Sequence, residues 1–176
     1  MFAEVHGDLL DRIYEAALLP ERWPAMLEAV CARADLAAGG LVMVGPDRTG
    51  GGVMTERYRP TYEAFAAQGH RYVNIRMERA LRRNHQGFLR DLDLCSEDEL
   101  AHDPIYRDFL RPFGLGWTVG SAVLQPEGRV FVFDFAREAE HGPVRGETVH
   151  VLDALRPHLA RAAVLSARIG DERARA

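Results

Sequence analysis

The sequence predicts an α+β fold: one central antiparallel sheet with helices on its faces, and a long helix near the end of the chain. Three observations lead there. Residues 117–124 and 129–135 are two strand-like runs joined by Gln125-Pro126-Glu127-Gly128, a tight-turn sequence, and form the clearest hairpin in the chain. Phe131, Phe133 and Phe135 share one face of the second run and Val130 and Val132 the other, so both faces of the sheet need cover. Helical spacing of apolar residues dominates the two ends of the chain.

In chain order, Leu9, Leu10, Ile13, Tyr14, Ala17 and Leu18 predict an amphipathic helix over 6–18. Pro20 and Pro24 punctuate the chain before a second helix over about 24–35, with Leu27, Val30, Cys31 and Ala34 inward. Leu41-Val42-Met43-Val44 reads as a strand between glycines, and the loop 47–52 turns into a short strand over 53–57. Residues 60–83 read as mostly helical with a break near Gly69, and 89–94 as an edge strand. Ser96 and Glu99 have the spacing of a capping box, which marks a helical turn over 97–101. A last helix spans about 145–169, with a kink or break expected at Pro157, where a hydrogen bond is lost.

The segment Asp103 to Trp117 is the most informative connector. Asp103 suits a cap, Pro104 the first helical position, and Pro112, Gly114 and Gly116 end the helix in a turn. It carries Tyr106, Phe109, Phe113 and Trp117, out of two Trp, five Tyr and eight Phe in the chain, and so reads as a lid or pocket wall. Its charged residues Asp103, Arg107, Asp108 and Arg111 read as a solvated helical face.

Bulk composition narrows the class. A chain of 176 residues with 47% apolar content can bury a real core, and one domain over 1–176 is expected. A net charge of −4 argues against a nucleic-acid surface. All 22 basic residues are arginine, a bias typical of GC-rich bacterial coding sequence. Two cysteines without metal or redox spacing, no secretory signal and no apolar run of about 20 residues predict a reduced, cytoplasmic protein without a membrane span.

Catalytic constellations are sparse. The glycine-rich stretch 45–52 lacks the lysine of a phosphate loop and reads as a hairpin turn. Ser121 lacks the flanking glycines of a nucleophile elbow. His150 and His158 lie eight residues apart and offset around one helix, so no metal or other cofactor is expected. Asp91 and Asp93 read as a solvated sheet edge, and an enzyme is the minority expectation.

Several stretches carry a family resemblance. They are Ile13-Tyr14-Glu15-Ala16-Ala17, Pro20-Glu21-Arg22-Trp23-Pro24, Arg90-Asp91-Leu92-Asp93-Leu94, the run Asp103 to Leu115, and Leu155-Arg156-Pro157-His158-Leu159-Ala160-Arg161-Ala162. In this order the chain resembles the N-terminal sensory region of bacterial LuxR-type helix-turn-helix regulators. The resemblance implies a GAF/PAS-like or autoinducer-binding-like fold, small-molecule sensing, homodimerisation, and control of a DNA-binding module. No such module is legible in these residues, so no nucleic-acid contact by this chain itself is expected. The Asp-Pro step that anchors the ligand amide in acyl-homoserine-lactone receptors is replaced by Tyr72-Val73-Asn74-Ile75-Arg76-Met77, without an acid.

The expected ligand-binding residues are Tyr58, Tyr62, Tyr72, Phe113 and Trp117 as walls, with Arg76 or Arg90 meeting an anionic group; alternatively these rings are simply core. Around the last helix, Val151, Leu155, Leu159, Ala162, Leu165 and Ile169 span an arc wider than one contact needs, and a dimer interface is expected there. A ligand-free dimerisation module is the second reading and predicts a filled core.

Overall fold

The computed structural model describes residues 2–47 and 50–176. Helices α1 (Phe2–Leu18) and α2 (Trp23–Ala34) precede the hairpin β1 (Ala38–Val44) and β2 (Gly50–Met54). Helices α3 (Arg59–Gln68) and α4 (Ile75–Arg83) follow, then β3 (Leu89–Arg90), α5 (Asp91–Leu94) and α6 (Glu97–His102). The hairpin β4 (Leu115–Leu124) and β5 (Val130–Glu138) leads to α7 (Gly146–Arg175). The sheet is antiparallel throughout, in the order β2-β1-β5-β4-β3. Where a loop over 47–52 and a strand over 53–57 were expected, β2 starts at Gly50 and ends at Met54, because Gly50 to Met54 pair with Val44 to Gly40; Arg48 and Thr49 lie outside the described residues.

Strand alternation sends β5 side chains into two cores. Phe131, Phe133 and Phe135 pack with Leu41 and Val119 against Ile13 of α1, Leu27 of α2 and Leu152, Leu155 and Leu159 of α7. On the opposite face, Ala38 and Ala136 meet Met54, Tyr58, Leu100, Tyr106 and Leu110. The result is three layers: α1, α2 and α7; the sheet; and the helices α3 to α6. No helix among the described residues is long and apolar enough to cross a membrane.

Three further expectations change. The predicted edge strand over 89–94 is two residues of strand followed by one helical turn, because the Asp93 carboxylate accepts from Arg90 N at 2.9 Å and caps that turn. Asp91 is therefore buried, not a solvated edge. The connector after Asp103 is wound tighter and looser than an α-helix: a π turn over Tyr106–Leu110, then a 3₁₀ turn over Arg111–Phe113 ending at Gly114 with φ of 78°. Asp103 is buried and caps its start, Oδ1 accepting from Ile105 N at 2.7 Å, so it does not belong to the exposed face that Arg107 and Arg111 form. Finally, α7 runs as one helix through Pro157, with buried Leu155 and Leu159 on either side of it. Packing on both sides outweighs the roughly 3 kcal/mol that an interior proline costs.

The capping box is as the spacing predicts. Ser96 Oγ accepts from Glu99 N at 3.2 Å, and Glu99 Oε2 accepts from Ser96 N at 2.8 Å.

Candidate ligand-binding site

Between the sheet and the layer of α3 and α4 lies a cavity of about 260 Å³. At about 30 Å³ each it would hold roughly nine waters. Its floor is set by register. Gly40, Asp134 and Gly120 are cross-strand partners in one row, and Val42, Val132 and Ala122 form the next row; all six line the cavity. Its roof is Thr61, Tyr62 and Phe65 of α3 with Arg76, Met77 and Ala80 of α4.

Local capping places α4. Asn74 Oδ1 accepts from Met77 N at 3.1 Å and starts the helix, and Asn84 ends it in the left-handed region at φ 47°. Arg79 then clamps α4 to α6, donating to Glu99 Oε1 at 2.6 Å and Oε2 at 3.0 Å and to the Leu94 carbonyl at 2.8 Å. That arginine holds the Glu99 carboxyl down at about 2.

One end of the cavity is a polar network. Tyr58 donates to Asp134 Oδ2 at 2.5 Å. Tyr106 donates to Asp91 Oδ2 at 2.8 Å and lies 3.0 Å from Thr118 Oγ1, and Thr118 N also donates to Asp91 Oδ2 at 2.8 Å. Arg76 donates to Thr118 Oγ1 and holds its guanidinium 5.0 Å from the Tyr106 ring centroid. Burial raises the Asp134 carboxyl above its ordinary range, opposed by Arg76 and by the Tyr58 hydroxyl. Burial raises Asp91 as well, opposed by the Thr118 N–H and the Tyr106 hydroxyl. Burial works against the Arg76 charge, yet the surrounding negative groups keep it firmly protonated. Arg76 Nε and Thr61 Oγ1 are buried without a hydrogen-bond partner among the described residues.

The structure brings Tyr58, Tyr62 and Arg76 together at the cavity. It places the other expected site residues elsewhere. Trp117 is one position before Thr118 on β4, so its ring faces the α1/α2/α7 layer, with Nε1 donating to the Ala139 carbonyl at 3.2 Å. Phe113 ends the 3₁₀ turn, its carbonyl accepting from Arg57 at 2.7 Å. Tyr72 packs edge-on behind Phe109, ring centroids 5.9 Å apart, and it is Phe109 that lines the cavity. Arg90 is taken by Asp93 at 2.8 Å. Asp134, Thr118 and Thr61 were not anticipated, and of these only Asp134 carried a signal, as an acid inside the apolar run Val130 to Phe135. Tyr106 was expected only as part of a lid or pocket wall, and Asp91 on a solvated edge.

On α7, Leu155, Leu159 and Ala162 are spent within the chain at no more than 1% exposure, while Leu165 is 40% exposed. Val151 is half-buried against the same core, and Ile169 is half-buried further along the helix. Ser121 faces this helix: its hydroxyl donates to the Gly87 carbonyl at 2.8 Å and accepts from Arg156 Nε at 2.7 Å. The ligand-free reading predicted a filled core without a cavity of drug-like size, and about 260 Å³ beneath α3 and α4 is unfilled.

No protein-family model and no curated protein match the sequence. Solved structures do match. The LBD domain of VqsR from Pseudomonas aeruginosa is similar at 16% identity and a TM-score of 0.69, over 95% of this chain and 96% of that one. CepR2 from Burkholderia cenocepacia, described as an N-acylhomoserine-lactone-dependent LuxR-family transcription factor, matches at 15% identity and 0.64, over 93% of this chain and 96% of that one. SdiA, solved in complex with octanoyl-rac-glycerol, matches at 14% and 0.59, over 96% of this chain and 67% of that one. At these identities the likeness shows the fold alone: the chain shares the α+β fold of these ligand-binding domains.

Proposed function

We propose that this chain is the small-molecule-sensing domain of a bacterial LuxR-type transcriptional regulator, acts as a homodimer, and binds its ligand in the cavity beneath α3 and α4. The observation that carries the reading is that cavity, mostly apolar in lining with a hydrogen-bonding cluster at one end. That combination is what small-molecule sites share, and the volume sits just under their usual lower limit of roughly 300 Å³. The reading is of a binder, not a catalyst, because Asp91 is held by three donors, Thr118 N, Leu92 N and the Tyr106 hydroxyl, and has no freedom to move a proton.

A route to an output helix runs through α7. Asp153 accepts from Phe88 N at 2.7 Å and Arg156 donates to the Ala122 carbonyl at 3.0 Å. Phe88 lies between the cavity residues Gly87 and Leu89, and Ala122 is one itself, so α7 touches the cavity wall from behind.

A thermal-shift screen of small amphiphiles tests the reading. A ligand at a hundred times its Kd adds about 2.7 kcal/mol, which for a chain of this size raises Tm by roughly 5–11 °C. Tyr62→Ala should cancel the shift while the variant stays folded. A screen with no stabilising compound, or an unchanged shift in folded Tyr62→Ala, overturns it. For the dimer, sedimentation of Leu165→Glu should report a folded monomer; a dimer of unchanged strength moves the interface elsewhere.

A further inference from the structure

The Gly40–Asp134–Gly120 row has a single side chain, the carboxylate in its middle. Neither glycine has φ in the left-handed region, so what they supply is room. Asp134 Oδ2 is taken by Tyr58, whereas Oδ1 accepts no hydrogen bond among the described residues. Oδ1 lies 3.7 Å from the point where a Gly120 Cβ would sit, inside the cavity lining.

The polar end holds two carboxylates, Asp91 and Asp134, and one cation, Arg76. Asp91 has its three donors. Among the described residues Asp134 has a single hydroxyl and no ion pair within 4.0 Å. Arg76 reaches Thr118, in the row Ala38–Ala136–Thr118, and so stands on one side of Asp134. The other side is open, over Gly120 and on to Ala122, Val132 and Val42. With Asp134 ionised, the form that a bound cation favours, an anionic head would add a second uncompensated negative charge and an uncharged one would leave the first. A cationic donor neutralises the site. Thr61, 4% exposed and with its hydroxyl unpartnered, adds another acceptor in the same lining.

Resting on the sensing role proposed above, we infer that the ligand is a short aliphatic amine, its ammonium over Gly120 donating to Asp134 Oδ1 and its chain lying along Ala122, Val132 and Val42. A six-carbon amine, with about seven heavy atoms, fits within a space of roughly nine waters.

The test is a chain-matched series, n-hexylamine, n-hexanol, hexanamide and hexanoate, measured by calorimetry at pH 7.5, where the amine is charged. Hexylamine should bind at least about tenfold tighter than each of the others and should shift the Gly120 and Gly40 amide resonances. Asp134→Asn should weaken the amine about thirtyfold or more, the loss expected when one partner of a buried charge pair is removed. If that variant does not fold, the wild-type series decides. Hexanol, hexanamide or hexanoate binding as tightly as the amine, or amine binding without a shift at Gly120, overturns the inference and leaves the sensing role standing. Failure of the whole series overturns it too, and only failure of the broader amphiphile screen as well removes the sensing role.

Discussion

Asp134 shows how one residue ties stability to the site. Burial raises its carboxyl, so between the unfolded value of about 3.9 and the higher folded value the folded chain binds more protons than the unfolded one. Stability from this group is therefore present at low pH and is lost as pH rises through that window. Asp134→Asn keeps an acceptor for Tyr58 and removes the titration. Urea unfolding should show the variant gaining on the wild type between pH 4 and pH 7; a constant difference across that range refutes the assignment. Gly39 makes the opposite point on the other face of β1. A Cβ there would lie 2.2 Å from Phe135 Cδ1 and 3.3 Å from Cys31 Sγ, both inside the core. Gly39→Ala should cost about 1–3 kcal/mol in denaturant unfolding, and a loss below about 0.5 kcal/mol would mean that the Phe135 ring has room to yield. Of these two residues, Asp134 was legible as a lone acid in an apolar strand. Gly39 was not, because the ring that crowds it comes from a strand almost a hundred residues away.

Among the elements, α7 separates what helical periodicity can and cannot say. The arc from Val151 to Ile169 correctly marks an apolar helix, but periodicity does not divide a wide arc between the chain's own core and a partner. The structure divides it: Leu159 is fully buried and Leu165 is 40% exposed. In chemical denaturation at concentrations too low for dimerisation, Leu159→Ala should cost about 2–5 kcal/mol and Leu165→Ala within about 0.5 kcal/mol; equal costs would refute the division. The segment 89–94 fails in the other direction. Its alternation of Leu and Asp reads as a strand, yet the two carboxylates serve as a cap and as a buried acceptor, a competition between side chain and backbone that alternation alone does not record. Ser96 and Glu99 were legible because a capping box is complete within four residues.

At the scale of the whole molecule, the sheet divides two kinds of interior. The face toward α1, α2 and α7 is filled largely by phenylalanines, whereas the face toward α3 and α4 carries mostly Gly, Ala, Val and Thr with one acid and borders the cavity. The sequence by itself determined the α+β class, most of the helices and strands, both hairpins and the caps at Ser96 and Asp103, because these rest on spacings of two to four residues. Only the tertiary structure decided where the site lies. Tyr58, Arg76, Asp91, Tyr106, Thr118 and Asp134 come from six separate segments, and strand register and helix docking alone bring them to one end of a cavity. The physical reason is that a glycine beside an acid across two strands is a fact of pairing, which local patterning leaves open until the chain has closed.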